Sequence, residues 1–342
     1  GWVSSAGSYV EKFEKDLSAY TGAYAIPTVN GTAALHLAFL LAGVEAGEEV
    51  FCPSITFVAT ANAIHYCHAS PHFLDNGDGN FLYDITALRE YFSKGFEKQQ
   101  GGLKNKETGR LVRVLCVTHI FGFPAQMDEL LELCAKFNLT LVEDAAESLG
   151  SYYKGKHTGN FGLISATSFN GNKIMTTGGG GAVLTPNKEL AAKAKHLSTT
   201  ARAADPYSHT HDEIGYNYRM PNLNAALGSA QLEKLPEYLD SKRRLFKHYQ
   251  ESFRDIAGIS LFVEPEVSHS NYWLQALLLD DSVAKQRDSI LEAANSAGLM
   301  TRPAWTLLHK LAPYKDCSLA PLPVAESLEK RIINLPSSVG LV

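Results

Sequence analysis

From residue 141 to residue 181 the chain reads LVEDAAESLGSYYKGKHTGNFGLISATSFNGNKIMTTGGGG. An apolar pair, Leu141-Val142, runs straight into two acids, Glu143 and Asp144. That order is expected of a buried parallel strand at its carboxyl edge, where open α/β sheets place their ligands. A second short strand, expected over residues 165–169, stops just before Asn170-Gly171-Asn172-Lys173. Lys173 therefore sits on a tight polar turn, ahead of the run Gly178 to Gly181. An acid and a lysine at two strand ends fit two chemistries. One is a plain ion pair. The other is a pyridoxal phosphate site, where the lysine forms a Schiff base with the aldehyde and the aspartate pairs with the protonated ring nitrogen, making the ring an electron sink. Spacing alone does not separate the two.

The elements that must position these groups follow from periodicity. Residues 8–20 carry Tyr9, Val10, Phe13 and Leu17 on one helical stripe. A strand over 25–29 leads into Asn30-Gly31-Thr32, which opens an apolar helix stopped by Gly43. A glycine and a hydroxyl residue at a helix start leave backbone N–H groups free to bind phosphate. The residues alone favour the plainer reading, an ordinary N-cap. Strands over 49–53, 70–75 and 112–118 alternate with helices from Thr56, from Asp84 and over 127–137; a strand over 182–185 and a helix over 188–197 follow. This alternation predicts a mostly parallel sheet with helices on both faces. Residues 94–110, polar, basic and Gly-rich, read as a solvated loop insertion. From Asn222 to Phe253 two helices are expected back to back, interrupted at Pro236. A strand over 272–279, a helix over 282–297 and the loop around Arg302-Pro303 complete a smaller domain. The expected division is an N-terminal helix and arm (1–21), a large domain (22–235) and a small α+β domain (236–342).

Composition narrows the function classes. The 342 residues are 45% hydrophobic and 20% charged with a net charge of −5, which disfavours nucleic-acid binding. Five scattered cysteines without a CxxC pair suit a reducing compartment. The most apolar span, residues 33–44, contains His36 and is too short to cross a membrane. No secretory leader is visible, although the chain begins abruptly at Gly1-Trp2, and a cytoplasmic location is expected. Two sequons, at Asn30 and Asn138, read as accidental. Neither His65, Cys67 and His68 nor His209, His211, Asp212 and Glu213 has the spacing of a metal signature, so no metal is expected.

The stretches VEDAAESLGSYYKGKHTG and SFNGNKIMTTGGGG resemble the DegT/DnrJ/EryC1/StrS family of pyridoxal phosphate-dependent sugar aminotransferases. They look most like the subgroup acting on UDP-4-keto-6-deoxy-N-acetylhexosamines, as in bacillosamine or legionaminic acid synthesis. The resemblance runs from WVSSAGSYVEKFE at the start to INLPSS at the end. It implies the fold-type I pyridoxal phosphate transferase architecture, similar to aspartate aminotransferase.

It also implies roles. Lys173 would hold the cofactor and move protons at the donor's Cα, and Asp144 would keep the ring nitrogen protonated. Gly31, Thr32 and Ser168 would bind the phosphate, Phe57 would stack on the ring, and Glu147 would lie near its 3′ oxygen, where many members carry glutamine. Asn217 would reach the phosphate of the partner subunit's cofactor in a homodimer, and His119 and Arg219 would lie beside substrate. FNGNK departs from the family's commoner FxPTK-like residues. L-glutamate would donate the amino group, and C4 of a UDP-linked 4-keto-6-deoxy sugar would receive it. Rival readings are amination at C3 or of a dTDP- or GDP-sugar, a related dehydratase (which replaces the lysine by histidine), and a non-catalytic regulatory protein on this fold.

Overall fold

The computed structural model describes residue 4 and residues 7–77, 81–203 and 209–342. Part of the expected N-terminal arm (1–3, 5 and 6) and part of the polar connection expected over 199–221 (204–208) lie outside the described residues.

Helix α1 (Ser8–Thr21) buries Val10, Phe13 and Leu17 and ends at Gly22, whose left-handed backbone (φ 78°) returns its N–H to the Ser18 carbonyl. Next come β1 (Tyr24–Thr28), α2 (Gly31–Leu41), β2 (Glu49–Pro53), α3 (Ala59–Tyr66), β3 (Ser70–Leu74) and α4 (Ile85–Gly95). A hairpin, β4 (Phe96–Gln99) and β5 (Gly102–Asn105), precedes β6 (Leu111–Thr118), α5 (Met127–Phe137) and β7 (Thr140–Asp144). After the short β8 (Tyr152–Tyr153) and β9 (Lys156–His157) come β10 (Ile164–Ser168), β11 (Gly181–Thr185), α6 (Lys188–Ser198) and α7 (Asn222–Phe253). The chain closes with β12 (Ile259–Leu261), β13 (Ser268–His269), β14 (Gln275–Leu279), α8 (Arg287–Ser296), β15 (Arg302–Pro303), α9 (Pro323–Arg331) and β16 (Ile332–Leu335).

The main sheet runs β1-β11-β10-β7-β6-β2-β3, and β10 through β3 are mutually parallel. Its strands are buried along nearly their whole length because both faces are covered. Side-chain alternation splits the interior in two. Val50, Cys52, Val114, Cys116 and Val142 face one core, while Phe51, Leu115, Val117 and Leu141 face the other. The small domain is an antiparallel sheet, β12-β14-β16-β15, flanked by α8 and α9. Among the described residues no helix is long and apolar enough to cross a membrane.

Two expectations are corrected. Residues 96–105 are not a solvated loop: they pair antiparallel and join the main sheet along the start of β6. Phe96, Leu103 and Asn105 point inward while Glu97, Lys98 and Gln99 stay exposed, so the polar composition belongs to one face of an edge hairpin. Asn105 and nearby Thr108 each donate to the buried Glu49 carboxylate. Likewise, α7 is a single helix of 32 residues with Pro236 inside it. A proline at that depth costs about 3 kcal/mol. Burial of Leu232 and Leu235 before it and Leu245 and Phe246 after it offsets that cost. The expected boundary between large and small domains thus falls inside a continuous helix.

Candidate active site

Strands β7 and β10 are parallel neighbours, with Ala166 opposite Asp144, so both end at one edge of the sheet. The turn after β10 brings Lys173 back over Asp144, and the two line one cleft of about 390 Å³. A larger hollow of about 440 Å³ lies between α4 and the start of α9. Its acids are engaged elsewhere: Asp75 accepts N–H from Val324 and Ala325, Asp84 accepts it from Ala87, and Glu90 pairs with Lys94. The cleft at the strand ends is where reactive groups remain available.

Asp144 is 4% exposed. Its Oδ2 accepts from the Thr60 hydroxyl at 2.6 Å and its Oδ1 from the Ala146 N–H at 3.1 Å. Burial pushes this carboxyl up, while Thr60, Ala146 and the Lys173 charge pull it back. Lys173 Nζ lies 3.4 Å from Glu147 Oε1 and 3.9 Å from the centre of the Trp273 ring. The Trp273 indole N–H is anchored on the Asn172 carbonyl. Glu147 is buried, which raises its carboxyl to about 6, against the Lys173 charge and the Phe121 N–H.

The opposite wall is the start of α2. Asn30 caps the helix by accepting the Ala33 N–H, and the first two helical amides, Gly31 and Thr32, have no intrahelical partner. The two readings of this turn coexist: it is an N-cap, and Gly31 and Thr32, whose amides are free, line the cleft with Ser168. A Cβ on Gly31 would come within 2.8 Å of Ser168 Cβ, and one on Gly181 within 2.7 Å of the Gly31 nitrogen. Part of the glycine run therefore exists to let β11 pack against this helix start. The donors form an anion cradle, Asp144 sits across the cleft, and Phe57 lies half exposed on its wall. Pyridoxal phosphate fits this set: a phosphate for the cradle, a ring nitrogen for Asp144, an aldehyde for Lys173 and a flat ring for Phe57.

One expected site residue is corrected. His119 is fully buried, not beside substrate. Its Nδ1 accepts the Ala125 N–H, so Nε2 carries the proton and donates to Glu143 at 3.0 Å. Glu143 also accepts from the backbone N–H groups of Gly159, Phe161 and Gly162, each at 2.7 Å. The first acid of the pair is thus a structural anchor pointing away from the cleft, and the second faces into it. Asn217 is exposed and Arg219 half-buried; neither lines this cleft. They lie on a segment bridged to Thr199 and Thr28. Of the four residues considered near 209–213, Asp212 and Glu213 meet His196, on an exposed face where Lys193 also pairs with Glu213.

Several cleft residues were not singled out from sequence. Trp273 and Trp305 line it, and Trp305 rests on Phe121 at 4.9 Å between ring centres. Phe121 holds a left-handed backbone (φ 55°), which aims its N–H at Glu147 Oε2 at 2.8 Å. Thr60, buried behind the cleft wall and bonded to Asp144, carried no motif at all. The tryptophans' large flat side chains were the one available signal.

The whole chain, residues 1–342, matches the model of the DegT/DnrJ/EryC1/StrS aminotransferase family. EpsN of Bacillus subtilis, which carries the name of a pyridoxal phosphate-dependent aminotransferase, is 38% identical over 99% of this chain and 86% of its own length. GDP-perosamine synthase of Escherichia coli O157:H7 is 35% identical over 99% of this chain and 88% of its own. A UDP-4-amino-4,6-dideoxy-N-acetyl-beta-L-altrosamine transaminase of Campylobacter jejuni is 30% identical over 92% of this chain and 80% of its own. The crystal structure of a family member from Brucella abortus superposes with a TM-score of 0.88 at 27% identity, over 100% of this chain and 87% of that one. The mixed sheet with helices on both sides is thus the fold-type I transferase architecture, and the protein is a pyridoxal phosphate-dependent aminotransferase belonging to the DegT/DnrJ/EryC1/StrS family.

Proposed function

We propose that this enzyme transfers the amino group of L-glutamate to C4 of UDP-4-keto-6-deoxy-N-acetylglucosamine, releasing 2-oxoglutarate and a 4-amino sugar nucleotide. The observation that carries the amino-transfer reading is the convergence of Lys173, Asp144 and the Gly31–Ser168 cradle on one cleft. Bound there, pyridoxal phosphate supplies an aldehyde that takes up the amino group and a ring that spreads negative charge from the donor's Cα. The chain supplies the rest. The Gly31 and Thr32 amides and the Thr32 and Ser168 hydroxyls hold the phosphate, and Phe57 covers one ring face. Asp144 keeps a proton on the ring nitrogen, and the Lys173 amine removes the proton from glutamate Cα and returns one to the sugar's C4. Glu147 orients Lys173 from the side, and Trp273 closes the cleft over it. The exposed Asn217 completes the phosphate site of a partner subunit, so the working unit is a homodimer, with Arg219 on the same segment near substrate.

The UDP assignment is supported by the motif resemblance and the altrosamine transaminase match. A GDP-linked 4-keto-6-deoxy sugar is the second reading, favoured by the match to GDP-perosamine synthase. The visible absorption of the purified protein with pyridoxal phosphate tests both. Glutamate should bleach the band and the correct keto sugar restore it, with Lys173→Ala lacking the response. Return with the UDP sugar supports the first reading and return with only the GDP sugar the second. A protein that takes up no pyridoxal phosphate overturns both. Mixing inactive Lys173→Ala and Asn217→Ala dimers should regain activity through one intact site per mixed dimer; no regain removes the shared-site assignment.

A further inference from the structure

The chain entering α3 meets the cleft at Phe57, with Thr60 three positions further on behind the wall. Phe57 lines the wall, and Thr60, whose N–H is donated to the Phe57 carbonyl at 3.3 Å, is wholly buried beneath it. Hydroxyl side chains inside helices commonly turn back to the carbonyl one turn earlier. In this protein Ser18, Thr21, Ser93 and Ser252 do so, each bonding the carbonyl four residues before it. Thr60, the second residue of α3, has no helical turn before it to bond back to, and its hydroxyl donates to Asp144 Oδ2 on β7 at 2.6 Å. With Ala146 N–H on Oδ1, both carboxylate oxygens have a donor supplied by the chain, one from each side.

That arrangement fixes a plane and a charge. Burial works against an ionised Asp144, and the Thr60 bond is the leading hydrogen bond opposing it. The other titratable groups around this carboxylate are Lys173, His119, Glu147, Cys116 and Tyr83. Of these, His119 is committed to Glu143 and Lys173 to Glu147. We propose that Thr60 is a positioning residue of the amino-transfer reaction, its hydroxyl holding the Asp144 carboxylate in one plane and in its charged form opposite the ring nitrogen. This rests on the role assigned to Asp144 above. A valine of the same shape would keep the packing and lose the bond, leaving Asp144 freer to rotate and easier to protonate.

The variants are Thr60→Val and Thr60→Ser, with Asp144→Asn beside them and Thr60→Ala in reserve should valine crowd the site. Three quantities are read on the full-length protein. They are pyridoxal phosphate affinity by absorbance titration, the circular dichroism of the bound cofactor, and the pH profile of bleaching by glutamate. Thr60→Val is expected to slow bleaching roughly ten- to hundredfold, the worth of one hydrogen bond to a charged group. Its acid limb should move to higher pH, because Asp144 then holds its proton more tightly, and the dichroism should weaken. Thr60→Ser, which restores the donor, should recover all three. The proposal is overturned if Thr60→Val matches the unaltered protein in rate, acid limb and dichroism while Asp144→Asn is impaired. If Asp144→Asn is also unimpaired, the role of Asp144 itself falls, and that of Thr60 with it.

Discussion

Replacing Glu147 by glutamine separates the cost of a buried carboxylate from everything else in the cleft. Glu147 is 4% exposed, and burial raises its carboxyl from 4.5 to about 6. A carboxyl that binds its proton more tightly in the folded chain loses stability for the fold as pH rises through that interval. At 1.36 kcal/mol per pH unit the whole interval is worth about 2 kcal/mol, of which about 1.2 kcal/mol falls between pH 5 and pH 7.5. Glutamine keeps the acceptor for the Phe121 N–H and does not titrate. The attraction to Lys173 exists only once Glu147 ionises, and it is already contained in the value of about 6, so it needs no separate allowance. With an unfolding entropy of about 2.1 cal/mol/K per residue, a chain this long should convert 1.2 kcal/mol into about 2 °C. The assay is differential scanning calorimetry of the cofactor-free proteins at pH 5 and pH 7.5. The Tm of Glu147→Gln should rise relative to the unaltered protein by about 2 °C across that range. A difference that stays constant, or falls, refutes the reasoning.

Gly31→Ala should weaken pyridoxal phosphate binding by roughly tenfold or more, since the new methyl lies 2.8 Å from Ser168 Cβ and must push the hydroxyl out of the cradle; absorbance titration measures it. Glu143→Gln should destabilise the cofactor-free protein by about 3 kcal/mol or more, because an amide NH₂ would face backbone donors now satisfied by a carboxylate. Burial raises the Glu143 carboxyl, but His119 and those N–H groups outweigh it and hold it below its ordinary range, so its contribution is present at neutral pH and lost on acidification; urea unfolding at two pH values reads both effects. Lys242, buried in α7 and donating to the carbonyls of Trp273 and Ser337, is lowered by burial to about 8. Its charge costs stability below that pH and the cost disappears toward 10.5, about 3 kcal/mol in all, so the Tm of the unaltered protein should rise relative to Lys242→Met between neutral and alkaline pH.

What the sequence made legible was whatever local pattern dictates. Helix α5 and strand β2 fall where their periodicity puts them, and the apolar lead into Glu143-Asp144 marked a strand edge correctly. Residues 96–105 were illegible because an edge hairpin needs only one buried face, and Phe96, Leu103 and Asn105 are too few to outweigh the charges around them. The continuity of α7 was hidden because a proline's local cost is visible in sequence, whereas the tertiary burial that offsets it is not.

The site repeats that division at finer grain. Glu143 and Asp144 are adjacent and chemically alike, yet strand pleating sends them to opposite sides, one into a closed set of hydrogen bonds and the other into the cleft. Sequence identifies the pair but not which member is reactive without a reference for the sheet's faces. His119 pairs with Glu143 and so shares its fate, which is why a histidine at a strand end was read as a substrate contact and proved an anchor. Thr60 shows the converse. A threonine at a helix start has no motif of its own, and only the approach of the first turn of α3 to the end of β7 in three dimensions gives its hydroxyl the carboxylate on which the chemistry depends.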